Sequence, residues 1–142
     1  MAGYSGTPLV KKLGIKPGFN IAFAGAPPGY ANELDLPPNV SINTRSGKPL
    51  DFAQLFVMSE RELKPKFSEY ADRLSASGML WVSWPKKSSG MSTDLSENIV
   101  RAIGLAAGLV DVKVCAVDEV WSGLKFVFRL QHRAKVKPHS LK

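Results

Sequence analysis

The 142-residue sequence contains a single cysteine, Cys115, so no internal disulfide framework can hold the fold together. A chain of this length does not need one, because it can bury roughly 70% of the surface that its unfolded state exposes. Cys115 stands inside an apolar run and reads as a small core residue that suits a reducing compartment. Histidine is almost as scarce: His132 and His139 both fall within residues 131–142, which leaves no clustered imidazoles for a metal site or a general base. No apolar run approaches the roughly 20 residues that a membrane crossing takes. The opening Met1-Ala2-Gly3-Tyr4-Ser5 lacks the charged start and apolar core of a secretory signal, and Ala2 excludes myristoylation. The reading that follows is a soluble, cytoplasmic protein. Acid is missing from one place in particular. Gln131 to Lys142 holds Arg133, Lys135, Lys137 and Lys142 against none, and without these four the remaining 15 basic residues face 12 acidic ones. The formal charge of +7 is therefore largely a property of the end of the chain. The expected organisation is one domain over residues 1–130 and a basic, disordered tail over 131–142. Such a tail attracts polyanions weakly and in a salt-dependent way, and nucleic acid is not the expected partner.

The pattern that is present alternates strands and helices. Thr7-Pro8 predicts a helix start, with Thr7 as N-cap and Pro8 in the first helical position, and Leu9, Val10 and Leu13 give a short apolar side before Gly14. Phe19 to Ala24 reads as a first strand, left by the loop Gly25-Ala26-Pro27-Pro28-Gly29-Tyr30 and one helical turn at Tyr30 to Leu34. Val40 to Thr44 alternates like a strand near a sheet edge, and Asp51 to Val57 reads as an interior strand. Ser59 with Glu62 has capping-box spacing, and Pro65 predicts a break at Lys64. Phe67, Tyr70, Ala71 and Leu74 then follow helical spacing up to Ser77-Gly78.

The run Met79 to Trp84 is almost continuously apolar and is bounded by Gly78 and Pro85, as a strand buried on both faces requires. Asp94 and Glu97 offer a second capping box, followed by a helix with Leu95, Ile99, Ala102, Ile103 and Ala106 on one face and Gly108 at its end. Val110 to Val117 and Leu124 to Leu130 form a closing antiparallel pair, the first with the polar side of an edge strand. The fold class is α/β: a single-domain, Rossmann-like three-layer sandwich with a mostly parallel sheet of about six strands and an antiparallel C-terminal hairpin.

In this order the chain resembles a truncated class I S-adenosylmethionine-dependent methyltransferase. Leu13 to Gly18 resembles that family's lead-in to strand one, Leu80 to Lys86 its fifth strand, and the closing hairpin its sixth and seventh. Over nearly its full length the chain is also similar to a small bacterial family of domain-of-unknown-function type (DUF 3052), through Lys12 to Gly18, Trp81 to Lys87 and Val117 to Leu124. The methyltransferase resemblance implies a glycine-rich turn after strand one and an acid after strand two. Here Pro27 and Pro28 separate Gly25 from Gly29 and remove two amide donors, and the second region reads Thr44-Arg45-Ser46.

In open α/β sheets ligands bind beyond the carboxyl ends of the strands. Pro27, Pro28, Tyr30, Arg45 and Trp84 are expected to converge there with Lys86, Lys87, Ser88, Ser89 and Gly90, which precede a helix start able to attract an anion. A phosphate- or carboxylate-type site follows as the binding hypothesis. Asp118 and Trp121, in the turn before the last strand, mark a possible partner surface, although turn chemistry accounts for Asp118 equally well. Ser83-Trp84-Pro85-Lys86 has the Ser-x-x-Lys spelling, but that chemistry needs a helix, which Pro85 at a strand end prevents. The leading expectation is a non-catalytic binding or regulatory module, as monomer or homodimer, with a possible small-anion ligand. The alternatives are a methyltransferase with an atypical cofactor pocket and weak nucleic-acid binding through the tail.

Overall fold

The computed structural model describes residues 7–42 and 47–129. In chain order the elements are α1 (Leu9–Leu13), β1 (Asn20–Ala24), α2 (Tyr30–Glu33), β2 (Ser41–Ile42), β3 (Leu50–Phe56), α3 (Glu60–Ala71), β4 (Leu74–Pro85), α4 (Glu97–Ala106), β5 (Leu109–Ala116) and β6 (Trp121–Phe128). They form one six-stranded sheet in the order β2-β1-β3-β4-β6-β5. The pairs β1–β2, β1–β3 and β3–β4 are parallel, whereas β6 runs antiparallel to both β4 and β5.

The tryptophan-bearing run is an interior strand, as its composition requires. β4 lies between β3 and β6, and its residues from Met79 to Pro85 are all buried. Its side chains alternate between two cores. Leu80, Val82 and Trp84 join Leu55, Val100, Leu124 and Phe126 beneath α3 and α4. Met79 and Trp81 join Leu13, Ile21, Tyr30, Phe52 and Phe56 beneath α1, α2 and the loops around them. Trp81 is fully buried, and its indole Nε1 donates to the Leu13 carbonyl at 2.9 Å, which ties α1 to the sheet.

Several local expectations are corrected. α3 runs unbroken through Pro65, because Arg61, whose carbonyl loses its helical donor there, is exposed and remains open to water. The same helix stops at Ala71, and Leu74 already belongs to β4, so the apolar spacing around Phe67 extends across an element boundary. Thr7 is not an N-cap, since Pro8 occupies that position and no side chain caps α1. Ser96, not Asp94, caps α4 by accepting from the Ile99 amide, while Asp94 accepts from the Glu60 amide and links the two helix starts. The face of α4 that is fully buried carries Val100 and Gly104; Ile99 and Ile103 are half-buried and Ala102 and Ala106 exposed. Gly104 is forced by its neighbour, because a Cβ there would stand 2.0 Å from the Phe126 ring.

Candidate functional site at the carboxyl rim

The strands that run parallel end on one edge of the sheet, and β6 begins there, with Trp121 opposite Pro85. This rim gathers the loop after β1, the end of β3, the segment after β4 and the turn before β6. Gly25 opens the first loop with φ 73°, and a Cβ on it would lie 2.6 Å from the Phe56 carbonyl oxygen. Only glycine lets the chain leave β1 so close to β3.

Tyr30, the first residue of α2, turns inward over the strand ends. Its hydroxyl donates to Gln54 Oε1 at 2.9 Å, and the Gln54 amide donates to Ser83 Oγ at 3.0 Å. Gln54 and Ser83 are both completely buried. The chain of three side chains therefore carries polar groups from α2 across β3 to β4 with each satisfied by the next, as a buried network must be. Around it the rings of Phe23, Tyr30, Phe56 and Trp121 meet edge to face, with centroids 5.5, 4.8 and 5.1 Å apart in succession. Burial pushes the Tyr30 phenol well above its ordinary range; the Gln54 hydrogen bond works the other way, and the nearby Asp118 and Cys115 add to the rise.

The residues proposed from sequence are distributed as follows. Pro27 and Pro28 lie in the loop that delivers Tyr30, whose amide donates to the Pro27 carbonyl at 3.1 Å. Lys86 continues the hairpin edge by donating its amide to the Val120 carbonyl at 2.7 Å. Lys87–Ser89 form a single 3-10 turn closed by Gly90, and Lys87, Ser88 and Gly90 are exposed. The Ser89 hydroxyl is used within this turn, donating to the Lys86 carbonyl and accepting from the Met91 amide. The start of α4 does not follow directly, since residues 90–96 intervene. Trp84 projects into the α3/α4 core, on the face opposite Tyr30. Arg45 lies outside the described residues. Asp118 Oδ1 accepts from the amides of Val120 and Trp121, both at 2.8 Å, an Asx turn that sets Trp121 against Phe56. Cys115 is half-buried at the margin of the α1/α2 core, and burial raises its thiol above the usual range.

Sequence reasoning passed over Gln54 and Phe56, and weighed Ser83 only as the serine of a Ser-x-x-Lys spelling. A lone glutamine inside the apolar run of β3 was the available signal, because a central strand buries such an amide only with partners.

A nucleoside cofactor at this rim meets a loop with glycine at both ends and positive φ at Gly25 and Gly29. It also meets two prolines in place of amide donors, a tyrosine ring over the strand ends and no acid in the sequence Asn43-Thr44-Arg45-Ser46 after β2. The residues present thus match such a cofactor only in backbone shape. Among the described residues no group of three or more His, Cys, Asp or Glu side chains could hold a metal ion, and no helix is long and apolar enough to cross a membrane.

No protein-family model and no curated protein sequence matches the chain. Solved structures do. A magnesium protoporphyrin IX methyltransferase from Synechocystis PCC 6803 with bound SAH superposes with TM-score 0.56 at 14% identity, covering 85% of this chain and 78% of the other. A SAM-dependent methyltransferase from Aquifex aeolicus gives 0.57 at 18% identity, covering 83% and 86%. The fibrillarin pre-rRNA processing protein of Methanococcus jannaschii gives 0.58 at 13% identity, covering 80% and 68%. With the strand order above, these likenesses establish a single-domain α/β, Rossmann-like fold of the methyltransferase type.

Proposed function

We propose that the chain is an S-adenosylmethionine-dependent methyltransferase with an atypical cofactor pocket at the carboxyl rim. The observation that supports this reading best is the sheet itself: six strands in the order β2-β1-β3-β4-β6-β5, with an antiparallel β6 between two co-directional strands, in a chain similar to methyltransferases over 83–85% of its length. In this reading the cofactor lies against the Gly25–Gly29 loop and the packed rings of Tyr30, Phe56 and Trp121. The test is calorimetry, or thermal unfolding, with S-adenosylmethionine. At 100 times its dissociation constant a ligand stabilises by about 2.7 kcal/mol, and an unchanged transition at millimolar cofactor removes the enzyme reading.

A second reading is favoured by the Pro27-Pro28 loop and by the Tyr30 ring over the strand ends, which leave few donors for a nucleoside. In it the chain is a non-catalytic, cytoplasmic binding module of the DUF 3052 type, its domain spanning 1–130 with a basic tail over 131–142. Its ligand is a small anion held near Lys86, Lys87, Ser88, Ser89 and Gly90, and Asp118 with Trp121 forms a partner surface. Charge reversal at Lys86 and Lys87 then abolishes binding of phosphorylated metabolites. The same variant leaves S-adenosylmethionine binding intact if the first reading holds.

A further inference from the structure

Among the described residues the sheet ends at β2 and β5. β2 has 2 residues and offers little to pair with, whereas β5 has 8. A long outer strand presents unpaired amides and carbonyls, and proteins commonly guard such an edge with charged side chains.

On β5 that guard is drawn away from the edge. Asp111 faces α4, where its Oδ2 accepts from Arg101 Nε at 2.9 Å. Lys113 stands opposite Lys125 of β6 on the α1 side, and its Nζ donates to the Lys12 carbonyl at 3.0 Å. What the same stretch leaves exposed is apolar: Val112 at 54% and Val114 at 53%. The register slips between Asp111 and Lys113, so Val112 is an extra residue of the bulged strand. From there to Ala116 the sides alternate. Lys113 and Cys115 take the α1 side, and Val114 takes the α4 side with Leu124, its neighbour on β6. By the same alternation Val112 and Ala116 share the side of Val114.

Within this stretch one register matches the strand to a second copy of itself. Antiparallel pairing about a two-fold axis centred on Lys113 opposes two ammonium groups, which destabilises a sheet. Centred on Val112, it sets Asp111 against Lys113, which lie on different faces, although opposed side chains must share one. Centred on Cys115, it runs past Ala116 and out of the strand. Centred on Val114, the residues from Val112 to Ala116 all pair: Val114 with its twin, Val112 with Ala116, and Lys113 with Cys115. The valines of the two copies then cover one another on the α4 side, and no like charges are directly opposed.

We propose that the chain forms a two-fold dimer through β5, with Val114 on the axis and the two sheets joined edge to edge. This goes beyond the methyltransferase reading and stands without it. A surface that complements itself in this way is what a two-fold interface between identical chains requires. So short a pairing makes a small interface, and the association is therefore weak and dependent on concentration.

The test is sedimentation equilibrium of the full-length chain between about 1 µM and about 1 mM, where the parent passes from monomer to dimer. Val114→Lys, which puts two ammonium groups on the axis, raises the dissociation constant about tenfold or more. Its melting temperature, measured where the parent is monomeric, stays close to the parent's, because Val114 is already more than half exposed. Cysteine cross-linking then reads the register. In a Cys115→Ser background, Val114→Cys gives a covalent dimer on oxidation, since directly opposed Cα atoms stand about 4.5–5.5 Å apart, within disulfide reach. Val112→Cys alone does not, because its twin lies about 14 Å away along the strands. Adding Ala116→Cys to Val112→Cys restores the cross-link. Three results overturn the proposal: a parent that stays monomeric throughout, which leaves the edge to another occupant; an unchanged dissociation constant in Val114→Lys; or cross-linking of Val112→Cys as readily as of Val114→Cys.

Discussion

The two faces of the sheet are built differently. On one side α3, with 12 residues, and α4, with 10, press an almost wholly apolar core against the strands, and Phe67 meets Phe126 edge to face with centroids 5.1 Å apart. On the other side the cover is thin, a helix of 5 residues and one of 4 with the loops between them. That thin side holds the completely buried glutamine and serine, the inward tyrosine and the lysine face of the hairpin. The thick side supplies cohesion, and the thin side spends part of its interior on polar groups that only mutual hydrogen bonding makes tolerable.

The largest effect that could break this contrast lies on the thick side. Phe126→Ala is expected to cost about 3–5 kcal/mol in urea unfolding, because it removes the ring on which both α3 and α4 rest. Gly104→Ala is expected to cost roughly 1–3 kcal/mol by overpacking against that ring, despite alanine's better helix propensity. If both substitutions proved milder than those on the thin side, cohesion would have been assigned to the wrong face.

Next comes the polar chain. Gln54→Leu leaves the Tyr30 hydroxyl and Ser83 without their partner and is expected to cost about 1–3 kcal/mol for each group stranded. Tyr30→Phe in the Gln54→Leu background should then cost less than in the parent. A double-mutant cycle in the same unfolding assay measures this, and strict additivity would mean that the three side chains do not act as one network.

A smaller effect appears at high pH. The Tyr30 phenol keeps its proton in the folded state above the pH at which an unfolded tyrosine releases it, near pH 10. Its contribution to stability is therefore fully present below that pH and declines as the pH rises beyond it. Thermal unfolding at about pH 9 and about pH 11 should show a loss that Tyr30→Phe reduces.

The smallest effect sharpens the contrast at the hairpin. Lys125 has the opposite sign: a folded-state ammonium held below the ordinary range disfavours folding while it stays protonated, and that penalty fades as the pH rises towards the unfolded lysine value. Lys125→Gln should raise stability near neutral pH by roughly 0.2–1 kcal/mol, the scale of a cross-strand pair. A fall in melting temperature would show that the ammonium has a partner on that face.

Legibility in the sequence followed the range of the interactions concerned. The run Met79 to Trp84 announced an interior strand because both of its faces had to be apolar, and the Ser59–Glu62 spacing announced the start of α3, where Ser59 does accept from the Glu62 amide. The cap of α4 was misplaced by two residues because Asp94 and Ser96 are equally good caps locally, and the choice was made by Asp94 reaching the Glu60 amide. The expected face of α4 failed for a similar reason. Its apolar residues exceed what the sheet can cover, so the Phe126 ring selected Gly104 to lie beneath the helix and left Ala102 and Ala106 outside.

The sequence by itself determined the alternation of strands and helices, the centrality of β4, the antiparallel return at the end and the shortage of acid after β6. Periodicity and turn residues act within single elements, and these features need nothing more. Only the tertiary structure decided that Tyr30 meets Gln54 across 24 positions, that Gln54 meets Ser83 across 29, and that Lys113 reaches α1 across 101. Those meetings depend on strand register and on which face each side chain takes, and both are set by how the whole sheet closes over its two cores.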